Sequence, residues 1–418
     1  MKQSIANRAV KDIFLLLPSG RSHWLLERSL AHLDDHPKCL GLANRLGLEP
    51  QPEPAAEVGR LNLPSPLVLG AGLVKGLGFA SEAEALQAVG LGQNIIPGWR
   101  AVPAIVGPVE FGSFTPKPRM GNSQPTLWRD RAGKTLYNRV GLRNPGIAAA
   151  ANFLGARAYQ LPMVWGSSLA PDPEETDRQK RQDSLASAAY TLVDCGLSPS
   201  WVTVNLSCPN AEPEGGQRLP DTQSPDEARQ LCQAVRDELP AEVVVWAKVG
   251  PDHSQATYFE LAHALAQAGV EAVIATNTTS RTPPSHLQPP KSSCGKPATE
   301  KLFAGMSGAG LQPHALRTVK SLAEASKHLP LEVIGCGGVM DGKTFLDFKA
   351  AGAVAVQYWS ALVFRGPLAR GALFGARNTH YICIRIGFAC VYGRQTTASQ
   401  ARLLAPSRLS SQSSGQAI

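Results

Sequence analysis

Eight short apolar runs, separated by stretches of helical pattern, constrain what this chain can fold into more than any other feature. They cover residues 67–70, 109–112, 161–165, 201–204, 243–249, 272–276, 331–334 and 354–357. Helical patterns lie between them, notably over 174–193, 225–239, 254–268, 313–326 and 342–351. A run that is apolar throughout, rather than alternating, belongs to a strand buried on both faces, and strands alternating with helices make a parallel sheet. Eight such units match a (β/α)₈ TIM barrel, an α/β fold that takes about 250 residues. The competing doubly wound open sheet, in its dinucleotide-binding form, lacks a G-x-G-x-x-G after the first run.

The flanks read differently. Ile5, Ala9, Ile13 and Leu16, then Trp24, Leu25, Arg28, Leu30 and Leu33, form an apolar helical stripe broken at Pro18-Ser19-Gly20. The expected organisation is a small N-terminal helical extension over 1–50, a linker over 51–60, the barrel over 61–367 and a divergent basic tail over 368–418. The tail is Arg-, Gly- and Ser-rich with poor helical periodicity, and is expected to be partly disordered. An apolar, Pro-containing insertion at 93–107 does not fit the eightfold pattern.

Charge and cysteine usage exclude several classes. The 418-residue chain carries a net charge of +8, but seven Arg and no acidic residue lie between Arg365 and the end, leaving residues 1–364 nearly neutral. That leaves no basic groove for nucleic acid in the fold itself. No apolar run approaches the roughly 18 residues of a membrane span, and Ile13–Leu17 stops at Pro18 without a signal-peptide cleavage pattern. The eight Cys form no C-x-x-C pair, so no metal site is expected and the thiols read as reduced.

Polar clusters follow the apolar runs, and the C-terminal ends of strands are where this barrel places its chemistry. Trp201–Val204 leads into Asn205-Leu206-Ser207-Cys208-Pro209-Asn210, a thiol between two amides. It reads equally as a proton-transfer site or as a Pro-Asn turn with Cys208 as apolar filler. The first run leads into Gly70-Ala71-Gly72-Leu73-Val74-Lys75, where small residues admit a planar ligand and Lys75 offers a charge. Lys248 ends the fifth run, and a Lys within an apolar strand calls for an anionic partner. Gly-rich turns at Gly305–Gly308 and Gly335–Gly338 fall where this barrel usually binds phosphate. Together these suggest a phosphorylated planar cofactor, most simply FMN; the alternative is that the glycines only make tight turns.

The motifs Asn205–Asn210, Tyr137-Asn138-Arg139-Val140-Gly141-Leu142-Arg143-Asn144-Pro145-Gly146, Lys248-Val249-Gly250-Pro251-Asp252, Ala275–Thr279, Met306-Ser307-Gly308 and Gly335–Gly338 jointly resemble the dihydroorotate dehydrogenases. The resemblance runs over roughly 61–367. It implies an FMN-containing barrel that oxidises dihydroorotate to orotate in pyrimidine synthesis. By similarity, Cys208 takes the C5 proton while hydride leaves C6, and Lys75 pairs with the substrate carboxylate. Asn138, Asn205, Asn210, Asn277 and Thr278 would hold the pyrimidine ring. Ala71, Gly72, Ser113, Asn205, Lys248, Thr276, Gly308, Gly337, Gly338, Trp359 and Ser360 would line FMN and its phosphate.

Three positions depart from the family pattern: Val74 stands where Asp is usual, Ser168 where Asn is common, and Trp359 where Tyr is common. The base and the extension point different ways. A helical extension resembling 10–33 belongs to the membrane-associated class that passes electrons to quinone, whereas a Cys base is typical of the soluble classes. The extension is weighted more for the acceptor. The expectation is therefore a quinone-using enzyme in peripheral contact with a membrane, at the cytoplasmic face of a bacterial inner membrane or at the mitochondrial inner membrane, with a cytoplasmic enzyme as the alternative. Related flavin barrels acting on a dihydropyrimidine or on tRNA dihydrouridine, and a non-catalytic flavin-binding barrel, remain open at this level.

Overall fold

The computed structural model describes residues 19–43, 54–123, 126–207, 221–287, 303–366, and Ala369 and Leu373. Eight parallel strands form one sheet: β1 (Leu67–Leu69), β2 (Glu110–Phe114), β3 (Gly166–Leu169), β4 (Trp201–Asn205), β5 (Val244–Val249), β6 (Ala272–Ala275), β7 (Glu332–Cys336) and β8 (Ala355–Tyr358). Each pairs with the next in chain order from β2 to β8, and β8 pairs with β1. The circuit closes through a parallel bridge from Leu69 to Val109 and a 2.9 Å bond from Leu69 N–H to the Pro108 carbonyl. The result is the (β/α)₈ barrel expected from the eightfold pattern.

The third strand is displaced from its expected place. Residues 161–165 were the apolar run, yet the strand is Gly166-Ser167-Ser168-Leu169, fully buried. Strand residues alternate between the two faces of a sheet, and here the inward positions are small or polar because of what they meet. Gly166 lies under the Trp201 indole, where an added Cβ would sit 1.9 Å from Cε2. Trp201 in turn stacks on Trp246 with ring centroids 4.6 Å apart. These rings, with Val68, Ile274, Ile334 and Ala355, fill the N-terminal half of the barrel. Gly166→Ala is therefore expected to cost more than the about 1–3 kcal/mol typical of overpacking, because the obstacle is a ring already pinned in a stack. Chemical denaturation of the variant checks this, and a loss no larger than about 3 kcal/mol would refute it.

Ala56–Val58 and Leu61–Leu63 form a hairpin that closes the same end, with Val58 and Leu63 fully buried against that cluster. Part of the segment read as a linker is thus a strand, because Val58 and Leu63 have an apolar surface to cover. The other end carries a four-stranded antiparallel sheet that the sequence reading did not foresee. Its strands, in the order Thr279–Arg281, Ala304–Gly308, Thr135–Asn138 and Leu127–Asp130, come from two separate connections, those after β6 and β2.

The extension is two helices, α1 (Ser19–Asp35) and α2 (Pro37–Ala43). Residues 1–18 and 44–53 lie outside the described residues. The 93–107 insertion is where the extension docks. Asp34, buried near the end of α1, accepts hydrogen bonds from Gly98 N at 2.6 Å, Ala101 N at 2.8 Å, Asn94 Nδ2 at 3.0 Å and Arg100 N at 3.1 Å. Ile95, Ile96, Trp99 and Val102 of the insertion share the apolar core with Leu30 of α1 and with Val74. Val74, where the family pattern has Asp, is thus fully buried among apolar side chains.

Beyond the last strand, Ser360–Arg365 is helical. Ala369 and Leu373, one turn apart, are also helical and fully buried in the core. The remainder of the tail lies outside the described residues. No helix among the described residues is long and apolar enough to cross a membrane.

Candidate active site

The C-terminal ends of the strands surround a pocket of about 240 Å³. Its floor is a layer of inward-facing polar side chains above the tryptophan stack. The same alternation that points Trp201 and Trp246 inward also points Thr203 and Lys248 inward, two residues further along β4 and β5. Lys248 Nζ donates to Gln357 Oε1 at 3.1 Å, and Gln357 Nε2 donates to Glu110 Oε2 at 3.2 Å. Glu110 Oε2 also accepts from Trp201 Nε1 at 2.9 Å and Thr203 Oγ1 at 2.5 Å. Cys336 lies beside Lys248; burial pushes its thiol up, which the Lys248 charge opposes without reversing. It is therefore a neutral wall group rather than a nucleophile.

Above the floor, Asn205 links three strand ends. Its Nδ2 donates to Ser113 Oγ at 3.0 Å, and its Oδ1 accepts from Asn277 Nδ2 at 3.2 Å and from Ser207 N at 3.3 Å. Asn277 Nδ2 also reaches the Ser207 carbonyl, and Asn277 Oδ1 accepts from Thr278 N at 2.8 Å. Ser113 Oγ meets Ser168 Oγ at 2.8 Å. Ser168 is buried behind Ser113 and does not line the pocket. From the antiparallel sheet, Asn138 enters with its Nδ2 donating to the Gly305 carbonyl at 3.2 Å.

Of the residues singled out by sequence, Ala71, Gly72, Lys75, Ser113, Asn138, Asn205, Lys248, Thr276, Asn277, Thr278, Gly308, Gly337, Gly338, Trp359 and Ser360 all line this one pocket. Cys208 and Asn210 lie outside the described residues, directly after Ser207. Ser207 itself is buried, and its hydroxyl donates to the Lys248 carbonyl at 3.3 Å. Thr276 Oγ1, Thr278 Oγ1 and Trp359 Nε1 are buried without a hydrogen-bond partner among the described residues. Orphaned polar atoms on a pocket wall mark where a ligand's own polar groups belong. The two Gly-rich turns meet directly: Gly338 sits at φ +86°, and a Cβ there would lie 2.8 Å from the Gly308 carbonyl oxygen. Only glycine fits this approach, and Gly-rich turns of this kind can hold an anion on their backbone N–H groups.

Gly20 and His23 of α1 also line the pocket, although the sequence reading gave them no role. Glu27, one turn further on, joins α1 to the barrel. It pairs with His23 Nε2 at 3.3 Å and Arg143 Nη1 at 2.9 Å, while Arg129 Nη2 donates to Ser22 Oγ at 3.2 Å. Burial alone would pull the Glu27 carboxyl up, but His23, Arg143 and Lys75 outweigh it and hold it below the usual range. A depressed folded-state pKa stabilises the docked helix above the unfolded value, about 4.3. That stabilisation is lost as pH falls through the lower folded value. Hydrogen exchange in α1 is expected to speed up below about pH 4 relative to core strands, and Glu27→Gln should remove that pH-dependent difference. A profile unchanged by Glu27→Gln would show that Glu27 does not hold the helix.

The sequence model of the dihydroorotate dehydrogenase family matches residues 99–373, well over half of the chain. The chain belongs to the dihydroorotate dehydrogenase family. Among its relatives are two proteins described as dihydroorotate dehydrogenase (quinone). That of Marinobacter nauticus is 30% identical over 370 residues, covering 86% of this chain and 94% of the relative. That of Cereibacter sphaeroides is 31% identical over 359 residues, covering 84% and 89%. The ligand-free crystal structure of DHODH from Eimeria tenella shares the fold at a TM-score of 0.63 and 21% identity, over 84% of this chain and 94% of that one. Its complex with ferulenol gives 0.59 and 20%, over 83% and 92%.

Proposed function

We propose that this protein oxidises dihydroorotate to orotate and passes the electrons to a quinone. The reading is carried by the convergence of Lys75, Asn138, Asn205, Asn277 and Lys248 in one pocket of a chain of this family. Lys75 supplies the cation for the substrate carboxylate. The asparagines supply both donors and acceptors for a ring that carries both. Cys208, which follows Ser207 in the sequence, takes the proton from C5. A thiol with an unperturbed pKa of about 8.5 needs a site that favours the thiolate to act as a base near neutrality.

The cofactor is FMN. Thr276 Oγ1, Thr278 Oγ1 and Trp359 Nε1 are buried without partners among the described residues, as a ring with polar edges requires. The close approach of Gly338 to Gly308 suits a phosphate held by backbone N–H groups. Gly337, Gly338, Gly308 and Ser360 would hold the phosphate; Ala71, Gly72, Ser113, Asn205, Thr276, Trp359 and Lys248 would hold the rest. When bound, FMN supplies the acceptor for the hydride from C6. Lys248 holds a positive charge at the floor, where it favours reduced over oxidised flavin.

The quinone assignment is supported by the relatives' descriptions and by α1, which contributes Gly20 and His23 to the pocket wall. Quinones are lipid-soluble, so the same helices would bring the protein to a membrane surface, with Trp24 of α1 largely exposed. The test is spectroscopic. Purified protein should carry oxidised flavin that bleaches anaerobically on adding dihydroorotate and recovers on adding a short-chain quinone. A flavoprotein that bleaches but is not reoxidised by quinone would overturn the acceptor alone. One that does not bleach would overturn the reaction.

A further inference from the structure

The barrel interior holds a carboxylate and an amide to which neither the family resemblance nor the site residues above assign a part. Glu110 and Gln357 are both fully buried, and both point into the floor from strands whose other residues are mostly apolar. A Gln side chain can be placed either way round, and its neighbours decide which. Here they decide it completely. A carboxylate only accepts, so the amide nitrogen must face Glu110 Oε2; the amide oxygen is then turned to Lys248, an ammonium that only donates. Glu110 is itself fixed by Trp201 and Thr203, which donate to the same Oε2. The link is enclosed from above by the Gly70 backbone: a Cβ there would lie 2.9 Å from Gln357 Oε1 and 3.6 Å from Lys248 Nζ.

We propose that Gln357 is the positioning residue for Lys248, with its amide locked in one orientation by Glu110, so that the ammonium is held at the pocket floor against the flavin ring. The inference rests on the flavin reading above. A lysine chain has four rotatable bonds and a strongly hydrated head. In a pocket open to water that head would leave the floor unless an acceptor kept it there. The Gln357 oxygen is that acceptor, and it does so without a carboxylate in contact with the ammonium, whose charge would cancel the field that Lys248 presents to the ring.

The experiment compares the midpoint potential of the bound flavin in the wild type, Gln357→Met and Glu110→Gln, with thermal unfolding of each. Gln357→Met keeps the volume, removes both ends of the link and leaves the charges unchanged. It should lower the potential by about 30 mV, equivalent to tenfold less reduction at equilibrium for a two-electron couple. Glu110→Gln keeps an oxygen facing Trp201, Thr203 and Gln357, so the amide stays locked. It removes a negative charge, and the potential should hold or rise. A structural role alone would lower the melting temperature of Gln357→Met and leave its potential unchanged, and that result overturns the proposal. So does a Glu110→Gln potential that falls further than that of Gln357→Met, since the carboxylate charge rather than the amide would then govern Lys248. Should Glu110→Gln fail to fold, Gln357→Met decides alone. A wild type that binds no flavin would overturn the functional reading and this inference together, whereas a normal wild type with an unmoved Gln357→Met overturns only the inference.

Discussion

Cys208→Ala is expected to slow flavin reduction by dihydroorotate at pH 7 by about 10²–10⁴-fold, the usual contribution of a positioned general base. Orotate affinity should change little, because the asparagines and Lys75 that would hold the ring remain. Cys208→Ser gives a sharper result. A hydroxyl is a far weaker acid than a thiol, so its rate at pH 7 should be low and should climb more steeply as pH is raised. Anaerobic stopped-flow absorbance at several pH values measures both variants. A Cys208→Ala protein reduced at the wild-type rate would remove the thiol from the reaction and return it to the status of a turn residue. Ser207 is no substitute, because its hydroxyl is committed to the Lys248 carbonyl.

The second large effect is expected at Asp34, which does no chemistry. Its carboxylate accepts four hydrogen bonds from the 94–101 segment. Asp34→Ala would leave these four donors without their acceptor at roughly 1 kcal/mol each, so the docking of α1 should weaken by about 4 kcal/mol. That corresponds to a more than hundredfold shift toward undocked extension. Because α1 forms part of the pocket wall while the strand ends carry the remaining site residues, the two half-reactions should separate. Dihydroorotate should still bleach the flavin at near the wild-type rate, while reoxidation by a long-chain quinone should fall at least tenfold. Proteolysis within α1 should accelerate in parallel. If both half-reactions fall together, Asp34 supports the whole barrel rather than the docking of the extension.

These expectations draw unequally on sequence and structure. Lys248 was legible because a charged residue within the apolar run 243–249 has few structural explanations. Glu110 and Gln357 carry the same signal, at the edges of the runs 109–112 and 354–357. Their meaning was hidden, because the carboxylate and the amide are 247 residues apart and meet only inside the closed barrel. The third strand was misplaced for a related reason. Apolarity marks a strand whose inward residues meet other apolar side chains, whereas Gly166 faces an indole and Ser168 faces Ser113. The antiparallel sheet over the pocket could not be read, since its strands are three to five residues long and gain stability only by pairing across two distant connections.

The sequence by itself determined the barrel and, through the motifs it shares with a family, the family to which the chain belongs. A run of eight buried strands separated by helices has few ways to cover both faces, and the polar residues after the strands are fixed by local order. Only the tertiary structure decided how those residues cooperate. Asp34 is one acid on an amphipathic helix until the 94–101 segment folds around it, and Gln357 is a neutral amide until Glu110 and Lys248 arrive on either side. Hydrogen bonds between distant residues depend on distance and direction, which the linear order of a chain does not encode.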